Sequence, residues 1–136
     1  MVCIVKETKN DSIVLDVKIG GTVKSRSQVR FIGGQHINLP IICDQDIKDL
    51  RKVSTLMNID YLVIPFASSS QDIKKVKEIL GEFGKNIKIL GKVDTIHGIE
   101  NFDDILLQSD GIIIQRNELQ FELPAEKMII AQKWAV

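Results

Sequence analysis

Hydrophobic positions follow two different periods along the chain, and the change falls close to residue 40. Between Ile13 and Phe31 apolar residues sit at every second position (Ile13, Leu15, Val17, Ile19), stop at Gly20-Gly21, and resume at Val29 and Phe31 before Gly33-Gly34. A period of two broken by glycine predicts short strands joined by turns. Gly20-Gly21 reads as a turn and not as a phosphate loop, because no Gly-Lys-Ser/Thr follows and no amphipathic helix starts there. Ile37-Asn38-Leu39-Pro40 predicts an extended linker, since a proline pushes the residue before it out of the helical region.

Past the linker the period becomes helical. Ile47, Leu50, Val53, Leu56 and Met57 share one face, with Lys48, Asp49, Arg51 and Lys52 turned away and Asp44 or Asp46 as the cap. Tyr61 to Phe66 is an unbroken apolar run, the pattern of a strand covered on both faces. Pro65 places the strand end there or marks a missing ladder bond. Ser70 and Asp72 offer a cap for a helix built on Ile73, Val76, Ile79 and Leu80, which closes at Gly81 or Gly84. Two further units follow: a strand from Ile87 to Gly91 with a short helix around Ile99 to Leu107, then a strand from Gly111 to Ile114 with a final helix from Pro124. Proline suits a first helical turn, where its missing donor costs nothing. Helices and strands in alternation with short connections predict an α/β fold: three parallel strands with flanking helices, preceded by a small β segment.

The 136 residues are 44% hydrophobic and 26% charged, enough for a sizeable core. Eighteen basic and eighteen acidic residues cancel, which removes the electrostatic case for nucleic acid or an anionic membrane as partner. The apolar runs are far too short for a membrane span and the first residues lack the pattern of a signal peptide, so a cytoplasmic location is expected. Cys3 and Cys43 form no CxxC and have no histidine at finger spacing; they read as reduced thiols and not as a zinc site. His36 and His97 lack partners at ligand spacing and read as loop or surface residues. Trp134 is expected to serve packing or an interface, and Lys74, Lys75 and Lys77 to form a solvated helix face.

The chemistry centres on Asn86 to Asp94, NIKILGKVD, where a buried strand delivers Lys92 and Asp94 to one rim of the sheet. Around it stand INLP (Ile37 to Pro40), GKNIKI (Gly84 to Ile89), FDDILLQSDGI (Phe102 to Ile112), PAEK (Pro124 to Lys127) and AQK (Ala131 to Lys133). In order and spacing, from about Val17 onward, the chain resembles pyruvate kinase. The resemblance implies a partial (β/α) TIM-type barrel at residues 37–136, preceded at 1–36 by the remnant of a β-rich domain. It also implies phosphoryl transfer from phosphoenolpyruvate to ADP, giving pyruvate and ATP in glycolysis.

The family's SKIEN appears here as GKVDT (Gly91 to Thr95), and its ARGDLG as QRNELQ (Gln115 to Gln120). By resemblance, Lys92 neutralises the transferred phosphoryl group, Asp94 and Glu118 are candidate magnesium ligands, and Arg116 and Asn117 are candidate substrate-binding residues. The two acids have exchanged lengths, and Asn117 stands where the family has a glycine. Ser68 and Ser69 replace a basic pair, and His36 and Ile41 replace the glycines flanking the linker. The alternatives for these positions are exposed rim carboxylates for Asp94 and Glu118, and a structural ion pair for Arg116. The family's potassium ligands fall outside this sequence. Because a closed barrel takes roughly 250 residues, the isolated chain is expected to show negligible turnover. It then either belongs to a longer product or pairs with another chain, as a homo-oligomer or with a full-length relative. The alternative is a non-catalytic pseudoenzyme acting by association.

Overall fold

The computed structural model describes residues 1–27, 29, 40–56 and 58–136, the side chain of residue 56 excepted. Phe31, Gly33-Gly34, His36, the linker residues Ile37 to Leu39, and Met57 lie outside the described residues. The chain divides into two compact units, Met1–Phe31 and Ile32–Val136.

The first unit is an antiparallel hairpin of β1 (Val2–Thr8) and β2 (Ile13–Ile19). Strand β2 is the one its alternation predicts. Strand β1 carries apolar residues on both faces, so no period marks it, and the register shifts between Val2 and Cys3 and between Val5 and Glu7. Its pairing with β2 is what defines it. The backbone N–H of Lys9 donates to the Ser12 carbonyl at 2.8 Å to close the turn. Ile13, Leu15, Val17 and Ile19 remain exposed.

The second unit is built on a parallel sheet in the order β3 (Tyr61–Ile64), β4 (Lys88–Val93), β5 (Gly111–Ile114). Helix α1 (Asp44–Leu56) precedes β3, and of the two expected caps it is Asp46 whose Oδ2 accepts from the Cys43 N–H, at 2.8 Å. Helix α2 (Ser70–Leu80) follows β3 and leads through a 3-10 turn, Gly81–Asn86, into β4. Its cap sits one residue earlier than expected, at Ser69. Asp72 Oδ2 accepts from the backbone N–H groups of Ser69 (2.8 Å) and Ser68 (3.2 Å) and from both hydroxyls, which satisfies donors the first turn would orphan.

The single helix expected near Ile99 to Leu107 is two, α3 (Ile96–Glu100) and α4 (Phe102–Gln108), broken at Asn101. Helix α5 (Arg116–Leu119), one turn directly after β5, has no apolar period to announce it. Helix α6 (Ala125–Ala135) begins where expected, with Pro124 as its cap. Ile64, Ala67, Ile73, Val76, Ile89 and Ile105 form the heart of the core between α2, α4 and the sheet.

Among the described residues, helices cover one face of the sheet. Side chains alternate across a strand, so Leu62, Ile64, Ile89 and Val93 meet the helices. Tyr61, Val63, Leu90, Lys92 and Ile113 share the opposite face by register. Tyr61 is 65% and Val63 41% exposed, which corrects the expectation that this run is covered on both sides. Pro65 follows the last residue of β3, where no ladder bond is required.

Candidate functional site

The carboxyl ends of β3, β4 and β5 meet at one rim, and the site assembles from what each strand delivers there. Strand β4 delivers Lys92, with Asp94 one step past the strand end, so alternation leaves both side chains on the same side. Lys92 Nζ lies 3.2 Å from Asp94 Oδ2, with the Lys92 side chain 24% exposed and that of Asp94 fully buried. Strand β3 turns away after Ile64, and Phe66 takes a left-handed backbone conformation, φ +55°. This aims the Phe66 N–H at Asp94 Oδ2 (3.4 Å) and sets its ring 5.7 Å from Lys92 Nζ, within cation–π range. Neither the strain nor the contact is visible in the apolar run YLVIPF, which is why sequence reasoning missed Phe66.

Asp94 Oδ1 is buried, with no hydrogen-bond partner among the described residues. Burial pushes the Asp94 carboxyl above its usual range; the Lys92 hydrogen bond and charge and the Phe66 N–H oppose the shift, and the charge of Glu118 adds to it. Glu118, half-buried on α5, is therefore within electrostatic reach of Asp94, and the rim brings together Lys92, Asp94 and Glu118. Arg116 and Asn117 are exposed on the same turn. The backbone at Asn117 is helical, so this position needs no glycine-only conformation, and its carbonyl accepts from Gln120 Nε2 at 3.0 Å. His97 Nδ1 lies 2.9 Å from Glu100 Oε2, a local pair on α3.

Asp94, with its buried Oδ1, and Glu118 supply two carboxylates, a partial donor set. No group of three or more His, Cys, Asp or Glu able to cage a metal occurs among the described residues. A two-carboxylate set fits magnesium, which usually takes one or two carboxylates and completes its octahedron with water and substrate oxygens. It does not fit a structural zinc or calcium cage.

A family model described as "Pyruvate kinase, barrel domain" matches residues 1–136. The chain belongs to the pyruvate kinase family. Pyruvate kinase PKLR of Rattus norvegicus is 35% identical over 133 residues, 98% of this chain and 23% of that protein. Pyruvate kinase of Dictyostelium discoideum is 39% identical over 103 residues, 76% of this chain and 20% of that protein. The "Pyruvate kinase, cytosolic isozyme" of Nicotiana tabacum is 38% identical over 100 residues, 74% of this chain and 20% of that protein. The chain thus spans about a fifth to a quarter of the length of these relatives. The three strand-helix units are a partial barrel of the pyruvate kinase type, with a small antiparallel β segment first. No helix among the described residues is long and apolar enough to cross a membrane.

Proposed function

We propose that this chain carries the lysine-and-carboxylate rim of a pyruvate kinase-type phosphoryl-transfer site, acting on phosphoenolpyruvate and ADP once further barrel strands flank β3 and β5. The observation that supports this most is the Lys92–Asp94 pair, held at 3.2 Å where a barrel of this family places its chemistry. Phosphoryl transfer asks little covalent work of a protein and much charge neutralisation at fixed positions. Lys92, steadied by Asp94 and by the Phe66 ring, supplies one such charge to the phosphoryl oxygens. Asp94 and Glu118 would hold magnesium, whose chemistry is neutralisation of the same oxygens. Arg116 and Asn117, both exposed at the rim, face arriving substrate. A cytoplasmic location accords with the tobacco relative's name.

By itself the chain is expected to be inactive or nearly so. A coupled assay with magnesium and potassium tests both parts of the reading. The 136-residue chain alone shows no turnover beyond its Lys92→Met variant, whereas a version extended by the neighbouring strands of its relatives shows turnover that Lys92→Met lowers by about a hundredfold or more. Equal rates for the extended chain and its Lys92→Met variant would sink the catalytic assignment.

The exposed face of β3 favours a second reading. Tyr61 and Val63 stand on a strand with one unpaired edge among the described residues. That supports a non-catalytic role in which the chain associates with another, a second copy or a longer relative. A monodisperse monomer that captures neither would count against it.

A further inference from the structure

Glu122 lies in the loop between α5 and α6, but its carboxylate serves the neighbouring loop. Its Oε2 accepts from the backbone N–H of Ile96 at 2.7 Å. Ile96 comes two residues after Asp94 and opens α3. The turn it belongs to is held from two other directions. Thr95 Oγ1 accepts from the Gly98 N–H at 3.1 Å, from inside the turn. Gly98 is seated so closely on the loop after β3 that a Cβ there would stand 2.9 Å from the Ala67 carbonyl oxygen and 3.0 Å from Val93 Cγ1. Just beyond, Asn101 Nδ2 donates to the Ser68 carbonyl at 2.9 Å. Glu122 ties this turn to the loop after β5.

The contacts that orient Asp94 are long, 3.2 Å to Lys92 and 3.4 Å to the Phe66 N–H, so a small shift of the backbone behind Asp94 breaks them. A charge-assisted bond of 2.7 Å two residues away is the stiffer element. We infer that Glu122 is a positioning residue for the Lys92–Asp94 pair: by holding the Ile96 N–H it fixes the turn after β4, and it passes the placement of the β5 loop to the Asp94 carboxylate. Its importance for phosphoryl transfer rests on the reading of Lys92 and Asp94 given above. Its effect on their geometry does not.

NMR on the 136-residue chain without ligand separates positioning from simple capping of α3. In Glu122→Ala, the Asp94 carboxyl carbon and the Phe66 amide are expected to shift and broaden, while amides around Ile73 in α2 stay in place. Glu122→Gln, whose amide oxygen accepts the same hydrogen bond, restores both signals. Faster exchange of the Ile96 amide with unmoved Asp94 and Phe66 signals would overturn the inference, as would Glu122→Gln disturbing them as strongly as Glu122→Ala. If α2 also collapses in Glu122→Ala, Glu122→Asp, one methylene short, takes its place under the same criteria. The Lys92→Met assay tests the catalytic reading on its own, so one can fail without the other.

Discussion

Asp94 and Asp110 show opposite electrostatics at the two ends of the same strands. At the amino end, Asp110 Oδ2 accepts from the Ile89 N–H at 2.8 Å, and this bond, with Lys88 beside it, holds the Asp110 carboxyl below its usual range. Its contribution to stability is present above the ordinary value of 3.8 and is lost as pH falls through the depressed one. At the carboxyl end the sign reverses. Burial raises Asp94, so between 3.8 and the raised value the folded chain binds more protons than the unfolded one, and stability falls as pH rises. Thermal unfolding followed from about pH 3 upward should therefore show Asp94→Asn gaining on the native chain with pH, and Asp110→Asn losing on it. Lys92, Asp94 and Glu118 were nameable as candidates from the sequence, because family motifs mark those positions. Phe66 and Glu122 were not: the first acts through a backbone angle and the second through a backbone donor 26 residues away.

Whole elements were legible wherever an apolar period ran long enough. Helices α1 and α2 and strands β2 to β5 follow from period and from glycine or proline punctuation. The misses have a common cause. Helix α5 is one turn set directly on a strand end, and the α3–α4 break turns on Asn101, whose side chain leaves its own helix for Ser68; neither alters hydrophobic spacing. Strand β1 exists through pairing alone. The cap of α2 shows how much one side chain can organise, since Asp72 Oδ2 gathers four donors from Ser68 and Ser69. Asp72→Ala is expected to cost about 1–2 kcal/mol in urea unfolding, with Asp72→Asn recovering part of it.

For the whole molecule, the balance of covered and uncovered surface decides behaviour. One face of the three-stranded sheet is packed by helices, while Tyr61 and Val63 on the other, and Ile129, Ile130 and Trp134 on α6, stay in contact with water. Unpaired strand edges and exposed apolar side chains favour association. Sedimentation velocity at increasing protein concentration is expected to show a rising average mass. Val63→Lys, on the open face of β3, should reduce that rise without lowering the unfolding temperature of the helix-covered core. The composition fixed neither outcome, because a 44% hydrophobic chain can bury its apolar residues or display them.

Phe66 also bears on how this sequence would respond to selection. An L-residue in the left-handed region gives up roughly 1–2 kcal/mol that glycine would not. A screen for heat tolerance should therefore favour Phe66→Gly, visible as a higher unfolding temperature. The same change removes the ring beside Lys92 and the stiffness that aims an amide at Asp94, so a screen for turnover on an extended barrel should reject it. One position would then record which pressure a lineage had been under.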